Sequence, residues 1–196
     1  MKNSAQTFGQ STFSFARRLA IAAVVLGTLG LAHTLLATPV NSITYTWTGS
    51  GTNDNLYTSA NWSGESAPPS SSWDSNEDIA GIFLLFENSR RSYITYSDLY
   101  ATKIEFRSID QSYNFDNQSY NTTHIGSGGI IYNPTSDIES RINGPVRLHA
   151  SQVWNIADGT FIVTGSITDN GLESSYNNQI EKTGDGELVL ESDSGH

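Results

Sequence analysis

The stretch Gln152-Val-Trp-Asn-Ile-Ala-Asp-Gly-Thr-Phe-Ile-Val163 consists of two short apolar segments joined by an Asp-Gly turn. The arrangement recurs between Ile142 and Leu190, where Gly, Asn and Asp separate apolar segments only a few residues long. Strands this short, with turns this frequent, are typical of a chain that winds round and stacks coil upon coil. The pattern predicts an all-β fold, a right-handed parallel β-solenoid with about six or seven coils of 20–25 residues.

Side-chain alternation along each strand predicts which residues enter the coil interior. They are Val146, Leu148, Val153, either Trp154 or Ile156, Phe161, Val163, Ile167, Leu188 and Leu190. Further strands are predicted upstream at Ile79–Phe86, Ser92–Tyr96, Lys103–Arg107, Tyr113–Phe115, Thr123–Ile125 and Ile130–Tyr132. Between the last two, Gly126-Ser-Gly-Gly129 is predicted to be a turn.

A targeting segment is predicted at the amino end. Lys2 and the Arg17-Arg18 pair form a basic region without acids, and a largely apolar run follows at 19–37. This is the pattern of a secretory signal peptide, with cleavage after Ala37 or, as a second candidate, Ser42. The alternative is an uncleaved membrane anchor, since the run approaches the ~20 residues that span a bilayer. Cleavage leaves an exported chain without a stable membrane span, and the export machinery is the partner that the leader predicts.

Three segments are predicted: a signal-peptide helix at 1–37, an aromatic-rich N-terminal cap at 38–85 and solenoid coils at 86–196, cut short at the C-terminus. In the cap, Trp47, Trp62 and Trp73 lie among Ser, Gly and Asn residues. We expect them to cover the open end of the solenoid, which would otherwise pair with other chains. The alternative is a carbohydrate contact, in which the three exposed rings stack on sugar rings.

Composition and charge exclude several classes of site. The chain has no Cys, which excludes thiolate metal sites and cysteine nucleophiles. Its net charge is −10, and removal of residues 1–37 takes away three of the 10 basic residues and none of the 20 acids, which leaves −13. Nucleic-acid binding needs clustered Lys and Arg, and Arg90-Arg91 is the only basic pair after the leader. Neither a nucleic-acid partner nor a cofactor is predicted.

The segment Asp74-Ser-Asn-Glu-Asp78 has the ligand spacing of a calcium loop, in which alternate oxygens converge on one cation. Ile79 stands where such a loop needs Gly, and Leu85 where it needs Glu. The alternative interpretation is a polar turn before a strand.

Carboxylates and histidines supply the remaining candidate chemistry. Paired carboxylates are the requirement for glycoside hydrolysis. The acids considered for this role are Asp110, Asp116, Asp137 and Glu139. Nucleophilic catalysis needs a base beside a serine, and the sequence has no G-x-S-x-G elbow. The histidines that follow the leader are therefore expected to be exposed coil residues; they are His124, His149 and His196.

A resemblance to a known family rests on Ile180-Glu-Lys-Thr-Gly-Asp-Gly-Glu-Leu-Val-Leu190. This segment resembles the autotransporter-associated β-strand repeat of bacterial surface proteins, whose core is roughly L-x-K-x-G-x-G-x-L-x-L. The matching positions are Lys182, Gly184, Gly186, Leu188 and Leu190, with Ile180 replacing Leu. Gln152-Val-Trp-Asn-Ile156 resembles the strand that often precedes this repeat, and Trp47-Thr-Gly49 with Asn61-Trp62 resembles the opening of the same proteins. The repeat occurs once, and the stretch that usually follows it is absent.

The resemblance implies an N-terminal passenger fragment of an autotransporter: a non-catalytic, exported segment at the cell surface, beyond the outer membrane, that acts in adhesion or matrix contact. Surface polysaccharide or other cell-surface material is the partner it implies. The competing class is a carbohydrate-active β-helix, either a polysaccharide lyase or hydrolase or a binding module that uses Trp47, Trp62 and Trp73. An enzyme is expected to gather three or more acids with a Lys or Arg in one concave groove, whereas a scaffold scatters them over turns.

Overall fold

The computed structural model describes residues 42–70, 81–117, 121–169 and 177–191, all within one compact unit, Ala37–His196. Helix is confined there to two single-turn 3₁₀ segments, Ser59–Asn61 and Ser63–Glu65. The strands are β1 (Ile43–Trp47), β2 (Ile82–Phe86), β3 (Tyr93–Thr95), β4 (Leu99–Ile109), β5 (Asn114–Asp116), β6 (Thr123–Pro134), β7 (Glu139–Asn143), β8 (Val146–Leu148), β9 (Gln152–Ile156), β10 (Thr160–Val163), β11 (Ile167–Asp169), β12 (Ile180–Thr183) and β13 (Glu187–Leu190).

These strands pair in parallel and form two sheets. In the first sheet, β1-β2-β4-β6 are followed by β8 and β9, which both pair with β6; β11 then pairs with β8, and β12 with β9. The second sheet has the order β3-β5-β7-β10-β13. Because the chain alternates between the sheets, the described strands form a β-solenoid of about four turns. The predicted all-β parallel solenoid is confirmed, and its right-handed winding stays a prediction based on the usual hand of parallel crossovers.

The length of one turn varies along the solenoid. Phe83 pairs with Lys103 on the next coil, whereas Trp154 pairs with Lys182, so the later turn contains several more residues than the earlier one. The described solenoid has fewer coils than the six or seven expected, because later turns are longer and residues 48–70 contain no sheet strand. The predicted boundary between cap and coils, at 85/86, falls inside β2, and β1 pairs with β2 in the first sheet.

The predicted turn at 126–129 is a bend inside one long strand. β6 is continuous from Thr123 to Pro134, and the bend separates the half that pairs with β8 from the half that pairs with β9. Gly129 has a φ of +61°, and a Cβ there would overlap the carbonyl oxygen of Val153 on the next turn. Glycine fits this position because it tolerates a positive φ and has no side chain to meet the neighbouring coil.

The interior consists of columns of apolar side chains that run from coil to coil. In-register pairing in the first sheet stacks Trp47, Phe86, Phe106, Tyr132 and Ile156. The second sheet stacks Ile94, Phe115, Ile142, Val163 and Leu190. The two columns meet across the interior, where the ring centres of Phe86 and Phe115 are 5.0 Å apart. Phe106 is central, since it contacts five other aromatic rings.

Most of the predicted interior residues are confirmed. Val146, Leu148, Trp154, Ile156, Phe161 and Val163 are buried. The prediction for Val153 is wrong, because Val153 lies between the inward-facing Gln152 and Trp154 and therefore belongs to the outer side of β9. Ile167 and Leu188 are half-buried and pack against the core.

Leu190 is 56% exposed, although it continues the column of Val163. Its strand, β13, pairs with β10 and has no second neighbour among the described strands. The prediction that Leu190 points towards the interior is therefore right in register but wrong in burial, since no described strand lies over it.

Trp47 and Trp62 form the aromatic end of the core next to β1. Their ring centres are 5.2 Å apart, and Trp47 also contacts Phe86 of the next coil. Both indole N–H groups donate to backbone carbonyls, Trp47 to Arg91 at 2.9 Å and Trp62 to Leu56 at 2.5 Å. A buried indole whose N–H is hydrogen-bonded stabilises the end of a solenoid without leaving a buried polar group unpaired.

We expect Phe106→Ala to lower the free energy of unfolding by about 3–5 kcal/mol, because it removes the ring at the centre of the aromatic interior. Leu190→Ala, the control in an exposed member of the other column, should cost less than about 1 kcal/mol. Urea unfolding of the full chain measures both. Equal losses for the two variants would contradict the assignment of the core.

Candidate functional sites

A groove of about 420 Å³ lies at the corner that follows strands of the first sheet. Its walls come from three segments: Thr46–Thr48 at the end of β1, Glu87–Arg90 after β2, and Asp110-Gln111 after β4. The Asp110 N–H donates to Asn88 Oδ1 at 2.8 Å, and Gln111 Nε2 donates to Ser89 Oγ at 3.3 Å. Neighbouring coils thus hold the polar lining of this corner groove in place.

The acids considered for hydrolysis are divided among several places. Asp110 lines the corner groove together with Glu87 and Arg90. Asp116 accepts a hydrogen bond from the Tyr93 hydroxyl on the second sheet. Glu139 pairs with Arg141 at the start of β7, and Asp137 is exposed in the turn before that strand. Within the described residues, the corner groove therefore combines two acids and one arginine, one acid fewer than the arrangement expected of an enzyme on this scaffold.

The exterior of the second sheet carries a polar surface with one exposed aromatic ring, here called the amide face. It consists of Tyr93, Asn114, Asp116, Arg141 and Asn143, which alternate with the inward-facing column of Ile94, Phe115 and Ile142. Asn143 Nδ2 donates to Asn114 Oδ1 at 2.7 Å, which links adjacent coils. The Tyr93 ring is 43% exposed, and its hydroxyl donates to Asp116. This hydrogen bond raises the pKa of Tyr93 above its ordinary value, so the hydroxyl keeps its proton.

A pair of histidines lies on the exterior of the first sheet. His124 is on β6 and His149 follows β8, and His124 Nδ1 is 2.9 Å from His149 Nε2. The His124 ring stacks on Tyr100 of the preceding coil, with ring centres 4.3 Å apart and planes at 17°. Arg147 occupies the next position in the same outward column as Tyr100 and His124.

The prediction that the histidines are exposed coil residues is wrong for His124, which is 7% exposed. The Tyr100 ring covers one side of it, and His149 covers the edge that carries Nδ1. The sequence held a signal for this contact. The two histidines are 25 residues apart, which is about one solenoid turn, so they fall on neighbouring coils.

Both histidines titrate at lower pH than a free imidazole. The pKa of His124 is lowered to about 4. Burial is the largest cause, the charges of His149 and Arg147 act in the same direction, and the charge of Asp98 acts in the opposite direction. Burial, followed by the charge of Arg147, also lowers the pKa of His149. The two rings are consequently neutral at pH 7, and one nitrogen of the pair donates while the other accepts.

The tryptophans proposed for carbohydrate contact do not form a platform. Trp47 and Trp62 are 1% and 2% exposed, so neither ring face is available to a sugar. The prediction of carbohydrate contact is wrong for these two residues, because both rings pack in the interior. Trp73 lies outside the described residues, as does the proposed calcium segment Asp74–Asp78.

The repeat motif forms the last described corner between the two sheets. Ile180 and Lys182 on β12 align with the inward-facing Gln152 and Trp154, and the Lys182 ammonium donates to the Gly184 carbonyl at 2.6 Å. Gly184 has a φ of +81°, and a Cβ there would overlap the Ile156 carbonyl of the preceding coil. The Gly186 N–H donates to that same carbonyl at 2.9 Å. Leu188 and Leu190 then continue inward columns of the second sheet. The motif thus consists of two strands joined by a glycine-containing corner.

The described ranges contain neither a cluster of three metal ligands nor a membrane-spanning helix. No group of three or more His, Asp or Glu side chains there is arranged to hold a metal ion. No helix in this part of the chain is long and apolar enough to cross a membrane.

Comparison of the chain with protein-family models, with characterised proteins and with solved structures finds no match in any of the three.

We expect the free energy of unfolding to decrease as the pH falls from about 6.5 to about 4, because His124 has a pKa of about 4 when folded and about 6.5 when unfolded. In this window the unfolded chain binds the proton more readily, so stability is present above the unfolded pKa and is lost as the pH falls. Urea midpoints at pH 7, 5.5 and 4.5, in buffer with a chelator, measure the decrease.

His124→Gln should show a smaller decrease over this window than the wild type. His196→Gln, a matched control at the end of the chain, should keep the wild-type dependence. The same pH dependence in all three proteins would show that His124 does not carry the effect.

Proposed function

We propose that this chain is an exported, non-catalytic scaffold: a passenger-type segment of a bacterial surface protein that acts in adhesion or matrix contact at the cell surface or outside the cell. The observation that carries the proposal is the parallel solenoid, in which the four acids considered for hydrolysis lie on different turns and strands. A stack of coils provides an extended exterior whose length grows with each turn. The predicted leader, which would engage the export machinery, and the resemblance of residues 180–190 to a surface-protein repeat support the same conclusion.

The amide face is the surface that we assign to this contact. Its exposed Tyr93 ring offers an apolar surface, and the amides of Asn114 and Asn143 offer both donors and acceptors beside it. Successive coils lie about 4.8 Å apart, so the side chains of neighbouring coils line up in two columns on this face, Tyr93–Asn114–Arg141 and Thr95–Asp116–Asn143. An extended neutral polymer such as a surface polysaccharide can therefore contact polar groups of several coils at once. Neutral material suits a chain with a net charge of −10, because an anionic polymer would be repelled.

A carbohydrate-active β-helix is the second candidate, and the corner groove is the observation that favours it. This groove places Glu87 and Asp110 together with Arg90 in a concave site. Two carboxylates are the minimum set for hydrolysis of a glycosidic bond. If this candidate is right, the purified chain releases new reducing ends from a polysaccharide, and Asp110→Asn abolishes the release.

We expect Tyr93→Ala to weaken binding of the purified full chain to immobilised neutral surface polysaccharide by about tenfold, because truncation of a central aromatic contact costs about 1–2 kcal/mol. Ile43→Ala is the matched control, since Ile43 is another exposed large apolar residue but lies on β1 of the first sheet. A solid-phase binding assay measures both variants, and reducing ends are assayed in parallel. Wild-type affinity in Tyr93→Ala would exclude the amide face, and turnover would favour the second candidate.

A further inference from the structure

The histidine pair is a feature that the proposed scaffold role does not require. His124 and His149 come from consecutive coils of the first sheet, whereas the amide face lies on the second. A hydrogen bond between two neutral imidazoles uses one nitrogen lone pair and one N–H. The same two nitrogens can instead bind one cation when the donating ring changes tautomer, so that its proton moves to the other nitrogen of that ring; neutral imidazole is the usual form of histidine as a metal ligand.

The separation of the two nitrogens fits a metal with a square or octahedral arrangement of ligands. Metal–nitrogen bonds of about 2.0–2.1 Å that meet at 90° place two nitrogens about 2.9 Å apart. His124 Nδ1 and His149 Nε2 are 2.9 Å apart. The ring planes are inclined at 47°, so rotation of the half-exposed His149 ring is the adjustment needed to point both lone pairs at one cation. Imidazole nitrogens in tetragonal geometry are typical ligands of Cu(II) and Ni(II).

We propose that His124 and His149 form a two-nitrogen binding site for a divalent transition-metal cation of the Cu(II) type. Water completes the coordination and reaches the cation past His149, which is only half-buried. The site links β6 with the segment after β8, so an occupied site joins two successive turns of the solenoid. A cation that binds the folded pair and not the separated histidines of the unfolded chain raises the unfolding temperature.

The surroundings both favour and oppose the cation. Tyr100 holds the His124 ring by stacking at 4.3 Å, which leaves one histidine of the pair oriented before any cation binds. Arg147 opposes binding, since its positive charge acts on both histidines. Asp98 acts on His124 in the opposite sense, and its Oδ1 accepts from the Thr122 N–H at 2.7 Å.

The test is a titration of the untagged full chain with copper(II) chloride at pH 7.4, with glycine as a weak competing ligand. We expect one equivalent to bind, an electron paramagnetic resonance spectrum with two nitrogen ligands, and a higher unfolding temperature. His149→Gln should lower the affinity at least tenfold and abolish the increase in unfolding temperature. Because His149 is half-buried, this variant is expected to fold, and circular dichroism confirms that it does.

Two further variants separate this site from adventitious binding. The double variant His33→Gln/His196→Gln removes the two histidines outside the pair, and it should keep the wild-type affinity. Arg147→Gln should bind copper severalfold more tightly, because it removes the opposing charge. Unchanged affinity in His149→Gln, loss of binding in the double variant, or weaker binding in Arg147→Gln would each overturn the proposal.

Discussion

In-register parallel hydrogen bonding between successive coils is the constraint on which the rest of this structure depends. It runs through the strands and also through the corners: the Thr135 N–H donates to the Ile109 carbonyl at 2.8 Å, and the Ala157 N–H donates to the Tyr132 carbonyl at 2.8 Å. A backbone held in register in this way fixes which side chains are neighbours. Each residue lies over the residue one turn earlier, about 4.8 Å away, and points the same way. Columns of side chains that face the same way are the direct consequence.

Inside the solenoid, these columns become the aromatic and aliphatic core that stabilises the fold. Stacked coils contact only their neighbours, so stability comes from the interface between one coil and the next. Phe106 illustrates the point, since its ring meets rings from the coil before it and the coil after it. Leu190 illustrates the converse. It occupies an inward position, yet it is exposed where no further described strand covers it.

Outside the solenoid, the same rule assembles surfaces from residues that are far apart in sequence. Tyr93 and Asn114 are neighbours on the amide face because they are one turn apart, and so are His124 and Arg147 on the other sheet. The corner groove arises likewise from three consecutive corners. An extended partner could contact several coils of such a surface at once, because side chains of successive coils lie side by side. This property connects the fold with the scaffold role proposed here.

The sequence by itself determined the fold class and much of the interior. Frequent glycine turns between short apolar segments predicted the parallel solenoid, and the alternation of side chains predicted that Phe161 and Val163 are buried. Alternation works because successive side chains on a strand point to opposite faces, whatever the rest of the chain does. The glycines of the 180–190 motif were likewise recognisable as a corner. These are local properties, and local sequence suffices to predict them.

Only the tertiary structure decided how the turns align with one another. The length of a turn varies along the chain, so sequence spacing places two residues on neighbouring coils only approximately and does not give the register between them. For this reason the sequence left open whether Trp47 and Trp62 face solvent or the core, and it did not identify the contact between His124 and His149. The burial and contacts of a side chain depend on which residue of the adjacent coil is aligned with it. Long-range backbone hydrogen bonds set the register between coils, and this register determines which residues are aligned.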